Sequence, residues 1–208
     1  MKNNIVLALT KGRILRESLP LLADAGVEPA ESIDATRKLL LATNHEDIKL
    51  AILRGADVPT YVKYGAADLG IVGKDVLLEY GSEGLYEAAD LGIACCRLMT
   101  AGIPNRVSNV GTLRVATKFV NITRDYFGKR GKQIDIVKLY GALELAPLMD
   151  LADVIVDLVD TGDTLRANGL IPFEEILPIS SRLIVNKASI RQKAPFLLPF
   201  IDSLAKLN

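Results

Sequence analysis

The sequence predicts an α/β fold in two lobes. Short β-branched apolar runs alternate with stretches of helical periodicity along almost the whole chain, the pattern of strands feeding helices. The alternation comes in two series, and no Gly- or Ser-rich linker separates them. A length of 208 residues with 50% hydrophobic content suffices for a substantial core in one domain or two small lobes.

The first series opens with a strand at Ile5–Thr10. Arg13–Ala25 reads as an amphipathic helix, with Ile14, Leu15, Leu19 and Leu22 on one face and Gly26 as its stop. Leu39–Ala42 and Ile48–Leu53 are strands. Asp57 caps a helix that runs through Tyr64, with Pro59 in its first turn. Tyr61 and Tyr64, three apart on that helix, read as packing residues. Leu69–Val72 is a strand, and Asp75–Tyr80 a helix ended by Gly81. Ile93–Ala101 is a long apolar run, read as one strand crossing between the lobes.

The second series begins with a strand at Arg114–Thr117 and a helix at Val120–Phe127, stopped by Gly128. Ile134–Leu139 is a strand, Leu143–Met149 a helix, and Val154–Val159 a strand. Glu174–Val185 returns as extended chain. Ile190–Leu207 is helical by periodicity, disturbed by Pro195 and Pro199; its Phe196, Phe200 and Ile201 are candidates for packing on the first lobe or for self-association.

Composition excludes several function classes. Lys+Arg and Asp+Glu both number 25, so the basic excess of a broad nucleic-acid binder is lacking and any anion site must be local. No apolar run is long enough to span a membrane and the start, Met1-Lys-Asn-Asn4, has no signal-peptide character, so a cytoplasmic protein is expected. Cys95 and Cys96 are adjacent, a poor disulfide and a poor metal site, and read as reduced strand residues. The lone histidine, His45, falls in a polar turn, which leaves no Ser-His-Asp or Cys-His set. Gly70-Ile-Val-Gly-Lys-Asp75 is too short for a nucleotide P-loop, and no Gly-x-Gly-x-x-Gly is present.

The stretch that carries chemistry is Asp157-Leu-Val-Asp-Thr-Gly-Asp-Thr-Leu165. It follows the apolar run Asp153-Val-Ile-Val156 and precedes a short helix that ends at Gly169. At such a strand-turn-helix junction Thr161, Gly162, Asp163 and Thr164 aim backbone N–H groups at one spot, where a phosphate is favoured. Gly162 permits close approach, and Thr161 and Thr164 add hydroxyls. Asp157 and Asp160 suit a sugar phosphate, since carboxylates accept bonds from ribose hydroxyls or hold a hydrated Mg²⁺. A helix cap is the plainer reading of Thr161 or Asp163. Four cations precede this stretch. Lys11 and Arg13 flank Gly12 after the first strand, Arg37 lies before the second, and Arg54 ends the third. Were these strands parallel neighbours, Lys11, Arg13 and Arg54 would converge on one rim, with Arg37 reaching in from its loop.

The segment from Leu139 to Leu165, with Glu144, then Asp153, then Thr-Gly-Asp-Thr-Leu, resembles the signature of the ATP phosphoribosyltransferase family, the first enzymes of histidine biosynthesis. It departs once, with Asp150 where a glycine is usual. Ala8-Leu-Thr-Lys-Gly-Arg13, Ser32-Ile-Asp-Ala-Thr-Arg-Lys38, Ile52-Leu-Arg-Gly-Ala-Asp-Val-Pro59, Ala67-Asp-Leu-Gly-Ile-Val-Gly-Lys-Asp75 and Ser180-Ser-Arg-Leu-Ile-Val-Asn186 resemble further family blocks, in the family's order.

That resemblance implies a bilobal fold similar to type II periplasmic binding proteins, with the active site in the inter-lobe cleft. Residues 1–93 plus 177–208 would form lobe I, and 94–176 lobe II as an insertion. The implied activity is a pentosyltransferase reaction. Phosphoribosyl passes from phosphoribosyl pyrophosphate to N1 of ATP, with Mg²⁺ carried by the substrates, possible neighbours being Asp157 and Glu144. Arg13 and Arg37 would steady the departing pyrophosphate as the catalytic residues. Lys11, Gly12 and Arg54 would serve phosphate or ATP binding, Thr161, Gly162, Asp163, Thr164 and Leu165 the 5′-phosphate, and Asp157, Asp160 and Glu144 the ribose or the metal shell. The length resembles the family's short form. A homodimer is then expected, working with a separate regulatory subunit resembling histidyl-tRNA synthetase. A solute-binding protein and a porphyrin-pathway deaminase are the rivals on the same fold. The former lacks its signal peptide here, and the latter needs a cofactor-bearing cysteine that Cys95-Cys96 supplies poorly.

Overall fold

A computed structural model describes residues 4–106 and 111–206 of the chain. The chain divides into two compact units, Met1–Ala94 with Ser180–Asn208, and Cys95–Ile179. Each has its own sheet.

In the first unit, β1 (Ile5–Thr10) lies between β3 (Ile48–Leu53) and β4 (Leu69–Gly73), parallel to both. β2 (Leu40–Ala42) closes one edge and is antiparallel to β3. β11 (Ser181–Asn186) returns antiparallel to β4 and pairs with β5 (Leu85–Asp90), giving the six-stranded order β2-β3-β1-β4-β11-β5. The central strands are apolar on both faces because helices cover both. Leu7, Leu9, Leu50, Leu69, Ile71 and Leu183 pack with α1 (Arg13–Asp24) and the end of α7 (Lys187–Ala205). Ala8, Val72 and Ile184 pack with α2 (Val58–Lys63) and α3 (Lys74–Tyr80) on the other side. Helix α2 lies so close to β4 that a Cβ on Gly70 would sit 2.7 Å from the Val58 side chain. The C-terminal helix is pinned by a buried carboxylate. Asp68 accepts from the Val6 N–H at 3.0 Å, the Ser189 hydroxyl at 2.7 Å and the Lys193 ammonium at 2.9 Å.

The second unit holds a five-stranded sheet in the order β10-β6-β9-β7-β8. These strands are β6 (Cys96–Gly102), β7 (Leu113–Thr117), β8 (Ile134–Lys138), β9 (Val154–Val159) and β10 (Ile171–Ile179). β7, β8 and β9 are parallel, β6 is antiparallel to β9, and β10 is antiparallel to β6. One face packs Leu98, Val115 and Val156 against Phe119, Ile122, Tyr126 and Phe127, which come from α4 (Val120–Gly128) and the turn before it. The other packs Met99, Ala116 and Ile155 with Leu143, Ala146, Leu165 and Leu170 around α5 (Leu145–Leu148) and α6 (Asp163–Ala167).

Several sequence expectations need correction. The single strand expected over Ile93–Ala101 starts only at Cys96, because Gly92 and Ala94 take positive φ of 59° and 50° and break the extended run. Cys95 accordingly lies outside the strand and is exposed. β5 went unread since an edge strand of Ala, Glu and Tyr shows little alternation. Glu174–Val185 is two strands in different sheets, broken at Ser180. Tyr61 and Tyr64 do not pack; they are 45% and 78% exposed, and α2 buries Val58, Pro59 and Val62 instead. Asp57 makes no side-chain cap there. The last helix starts at Lys187, capped by the Asn186 side chain, and kinks at Lys193 ahead of Pro195. Phe200 and Ile201 are buried in the first unit's core, and Phe196 is 47% exposed. The expected helix end at Leu207 falls outside the described residues. Asp150, where the family signature has glycine, does adopt φ of 56°, the left-handed region that glycine favours. An ion pair with Arg106 accompanies it, and its carbonyl accepts from Arg114 at 2.7 Å.

Candidate active site

The second unit forms a pocket of about 180 Å³ lined by Met99, Ala101, Glu144, Ile155, Asp157 and the run from Leu158 to Leu165. Glu144, Asp157 and the run from Asp160 to Leu165, the second-unit residues expected at the substrate, are among these. Strand β9 delivers Asp157 at the C-terminal end of the parallel set, where open α/β sheets place ligands. Glu144 arrives just ahead of α5. Met99, Ala101 and Ile155 form an apolar floor from adjacent strands.

The turn itself is internally braced. Gly162 sits at φ 78°, ψ 9° as the residue ahead of α6, so a left-handed residue turns the chain from strand to helix. The Thr161 hydroxyl donates to Asp163 at 2.6 Å and accepts from the Asp163 N–H at 3.3 Å. Arg166 donates to the Thr161 carbonyl at 3.0 Å and pairs with Asp163. The Thr161 hydroxyl, and next the Arg166 guanidinium, hold the Asp163 carboxyl below its ordinary value. Leu165 is 4% exposed and anchors the short helix in the core. The Asp163 N–H is thus taken by the Thr161 hydroxyl, whereas the next first-turn N–H groups of α6 have no acceptor within the helix.

Glu144, Asp157, Asp160 and Asp163 give the pocket carboxylates, and its lining includes no Lys or Arg among the described residues. Two cations that the sequence reading missed reach its edge: Arg166, already described, and Lys118, whose ammonium lies 3.3 Å from Asp157. The signal for Lys118 was its place one residue past a parallel strand, Leu113–Thr117.

In the first unit, Lys11, Gly12 and Arg37 line a second pocket of about 440 Å³ with Leu15, Ile33, Thr36, Lys38, Leu39 and Ile52. The parallel β1–β3 pairing sets Thr10 beside Leu53, and the Lys11 N–H donates to the Leu53 carbonyl at 2.9 Å, so Lys11 and Arg54 share one rim. β2 is antiparallel to β3, contrary to the parallel arrangement considered from sequence. Its start therefore lies near the end of β3, and Leu39 accepts from the Ile52 N–H at 2.8 Å, which brings Arg37 to that same rim. Arg54 and Arg13 are exposed and are not lining residues of this pocket. Arg13 donates through Nε to Glu17 at 2.6 Å, and the other Glu17 oxygen accepts from the Ala94 N–H at 2.6 Å. These contacts, Arg13's first, hold the Glu17 carboxyl below its usual range. His45 lies in an exposed turn with Nε2 2.9 Å from the Gly26 carbonyl, away from both pockets.

The chain is thus a two-unit α/β protein, its second unit holding a strand-turn-helix cradle of hydroxyls and carboxylates and its first a pocket with a cationic rim. The chain belongs to the ATP phosphoribosyltransferase family. Residues 54–206 match the family model described as HisG, ATP phosphoribosyltransferase. It is 60% identical over 205 residues to an ATP phosphoribosyltransferase of Halorhodospira halophila, covering 99% of this chain and 96% of that protein. A protein of the same name from Chromohalobacter salexigens is 59% identical over 206 residues, with 99% and 95% covered. Among solved structures, the ATP phosphoribosyl transferase (HisG:HisZ) complex from Thermotoga maritima has a chain that is 35% identical. That chain superposes with a TM-score of 0.83, with 98% of each chain covered. A histidine kinase sensor domain with similarity to periplasmic binding proteins superposes with a TM-score of 0.62 at 13% identity, a likeness of fold alone.

Proposed function

We propose that the chain transfers the phosphoribosyl group of phosphoribosyl pyrophosphate to N1 of ATP, the first step of histidine biosynthesis. The observation that carries this reading is the second-unit pocket, which gathers Glu144, Asp157 and the run from Asp160 to Leu165 around one space. Thr161, Gly162, Asp163 and Thr164 hold the 5′-phosphate through hydroxyls and first-turn N–H groups. Asp157 and Asp160 accept from the ribose hydroxyls, with Glu144 beside them. N1 of adenine carries no proton, so no base is required. Its lone pair forms the bond to the anomeric carbon as the C–O bond to the diphosphate breaks, and the electron pair leaves with the diphosphate. The demand falls on charge. Arg13 and Arg37 steady the departing diphosphate, and Lys11, Arg54 and the backbone at Gly12 serve the phosphates of ATP.

Among the described residues no cluster of three His, Cys, Asp or Glu side chains is placed to hold a metal. Asp157 and Glu144 are carboxylates that suit the hydration shell of Mg²⁺ carried by the substrates. When bound, the ion neutralises phosphate charge.

We further propose a homodimer that joins a regulatory subunit of the HisZ kind, and a cytoplasmic setting. The Thermotoga maritima complex supports the partner. No helix among the described residues is long and apolar enough to cross a membrane. The test is pyrophosphate release with ATP and phosphoribosyl pyrophosphate, each omitted in turn, with and without the regulatory subunit and histidine. Release that requires both substrates supports the reading. Release without ATP, or none under any condition, overturns it.

A further inference from the structure

The acid-rich lining of the second-unit pocket poses an electrostatic problem for the ligand assigned to it. A sugar 5-phosphate that also bears a diphosphate brings several negative charges toward Glu144, Asp157, Asp160 and Asp163. Arg166 is committed to the turn, through Asp163 and the Thr161 carbonyl. Lys118 is differently placed. The parallel register sets Thr117 beside Val156, so the next residues, Lys118 and Asp157, lie side by side where β7 ends and β9 continues to Val159. The Thr117 hydroxyl donates to the Val156 carbonyl at 2.8 Å and accepts from the Phe119 N–H at 2.9 Å, which fixes the backbone on both sides of Lys118. The Lys118 side chain is a flexible four-carbon stem leaving this fixed backbone. It is 37% exposed, lies 4.8 Å over the Phe119 ring, and meets Asp157 Oδ1 at 3.3 Å, longer than a tight charge-assisted bond. That same Oδ1 already accepts from the Leu158 N–H at 2.8 Å. So loose and exposed a pair adds little to stability.

We propose that Lys118 is a direct contact to the diphosphate of the ribosyl donor. Without ligand its ammonium rests against Asp157. With the donor bound it moves to the diphosphate oxygens, and Asp157 is released to accept from a ribose hydroxyl. One lysine thereby offsets the Asp157 charge at rest and recognises the leaving group. This assignment rests on the phosphoribosyl reading above.

The test is calorimetry with two probes, phosphoribosyl pyrophosphate and ribose 5-phosphate, which lacks the diphosphate, in Mg²⁺ buffer. Lys118→Met keeps the length and removes the charge. It should raise the Kd for phosphoribosyl pyrophosphate about 10-fold or more, the scale of one charge-assisted contact. The Kd for ribose 5-phosphate should stay within about 2-fold, since that ligand has no group for the ammonium. Lys118→Arg should restore part of the loss. Equal weakening of both probes would show that Lys118 merely supports Asp157 and would overturn the proposal, as would no weakening of either. If the unaltered protein binds neither probe, the phosphoribosyl reading falls and takes this one with it. Binding of both with an indifferent Lys118→Met refutes this one alone.

Discussion

Gly162→Ala isolates the backbone geometry of the turn. Gly162 holds φ at 78°, and the left-handed region costs an L-residue about 1–2 kcal/mol. The new Cβ would also sit 3.2 Å from Arg166 Nη1 and 3.7 Å from Val159 Cγ1. The guanidinium is the far end of a flexible chain and yields. In yielding it loosens its 3.0 Å bond to the Thr161 carbonyl, the brace of the turn. The turn is exposed at Asp160, Thr161, Asp163 and Thr164, so the free protein escapes the strain by rearranging locally, at little cost to global stability. Binding must then restore the original geometry. The same 1–2 kcal/mol therefore reappears as a roughly 5–30-fold rise in the Kd for phosphoribosyl pyrophosphate. Calorimetry reads the affinity, and a thermal melt reads the stability. Unchanged affinity together with an unchanged melting temperature would refute the reasoning, because the strain would then have gone nowhere.

Arg37→Ala should lower kcat far more than it raises either KM, by about 2–4 kcal/mol in the barrier, if the guanidinium meets charge that grows on the leaving diphosphate; steady-state kinetics decide, and a change confined to KM contradicts the role. Asp68→Ala should destabilise the first unit by about 3 kcal/mol, because it strands the Lys193 ammonium and the Val6 N–H together, a loss read as a lower denaturant midpoint with binding to the second-unit pocket retained. The Asp153 carboxyl is held below its usual range chiefly by the Arg114 side chain, so its stabilisation is complete above about pH 4 and is lost as pH falls through the depressed value. Asp153→Asn should therefore flatten the acid limb of the stability–pH curve while lowering the neutral plateau by about 1–2 kcal/mol, as melts across pH 2–7 would show.

The second unit's site was legible because it is local. Strand, turn and helix follow one another between Val154 and Ala167, so the residues that line the pocket adjoin in sequence and carry their own signals, a β-branched run and small polar turn residues. Glu144 is farther away but sits in the same family signature. Lys118 carried only the weak signal of its place after a strand, since its approach to Asp157 depends on the pairing of β7 with β9, a register that no periodicity encodes. Of the first unit's cations, Lys11, Arg37 and Arg54 come to one rim for partly different reasons than expected, while Arg13 turns to Glu17. Arg37 reaches the rim because β2 runs antiparallel, and residues 43–47, which join β2 to β3, are too short a connection for the crossover a parallel pair needs. The exposed tyrosines of α2 misled for a related reason. A six-residue helix shows too few turns for its apolar stripe to be told from chance, and the close approach that Gly70 allows selected Val58 and Val62 as the buried face. The break at Ala94 was hidden by an apolar sequence that reads as continuous strand while its backbone takes positive φ.

The most direct test of the central claim is the structure of the product. The protein, with the proposed HisZ-kind subunit added, is incubated with ATP, phosphoribosyl pyrophosphate and Mg²⁺. The nucleotide is then isolated, and its mass and the position of its new bond are determined by NMR. The account predicts one pyrophosphate released per adduct formed, with the anomeric carbon bonded to N1 of the adenine ring. Pyrophosphate released without an adduct, or a ribosyl group found on any other atom, would contradict it.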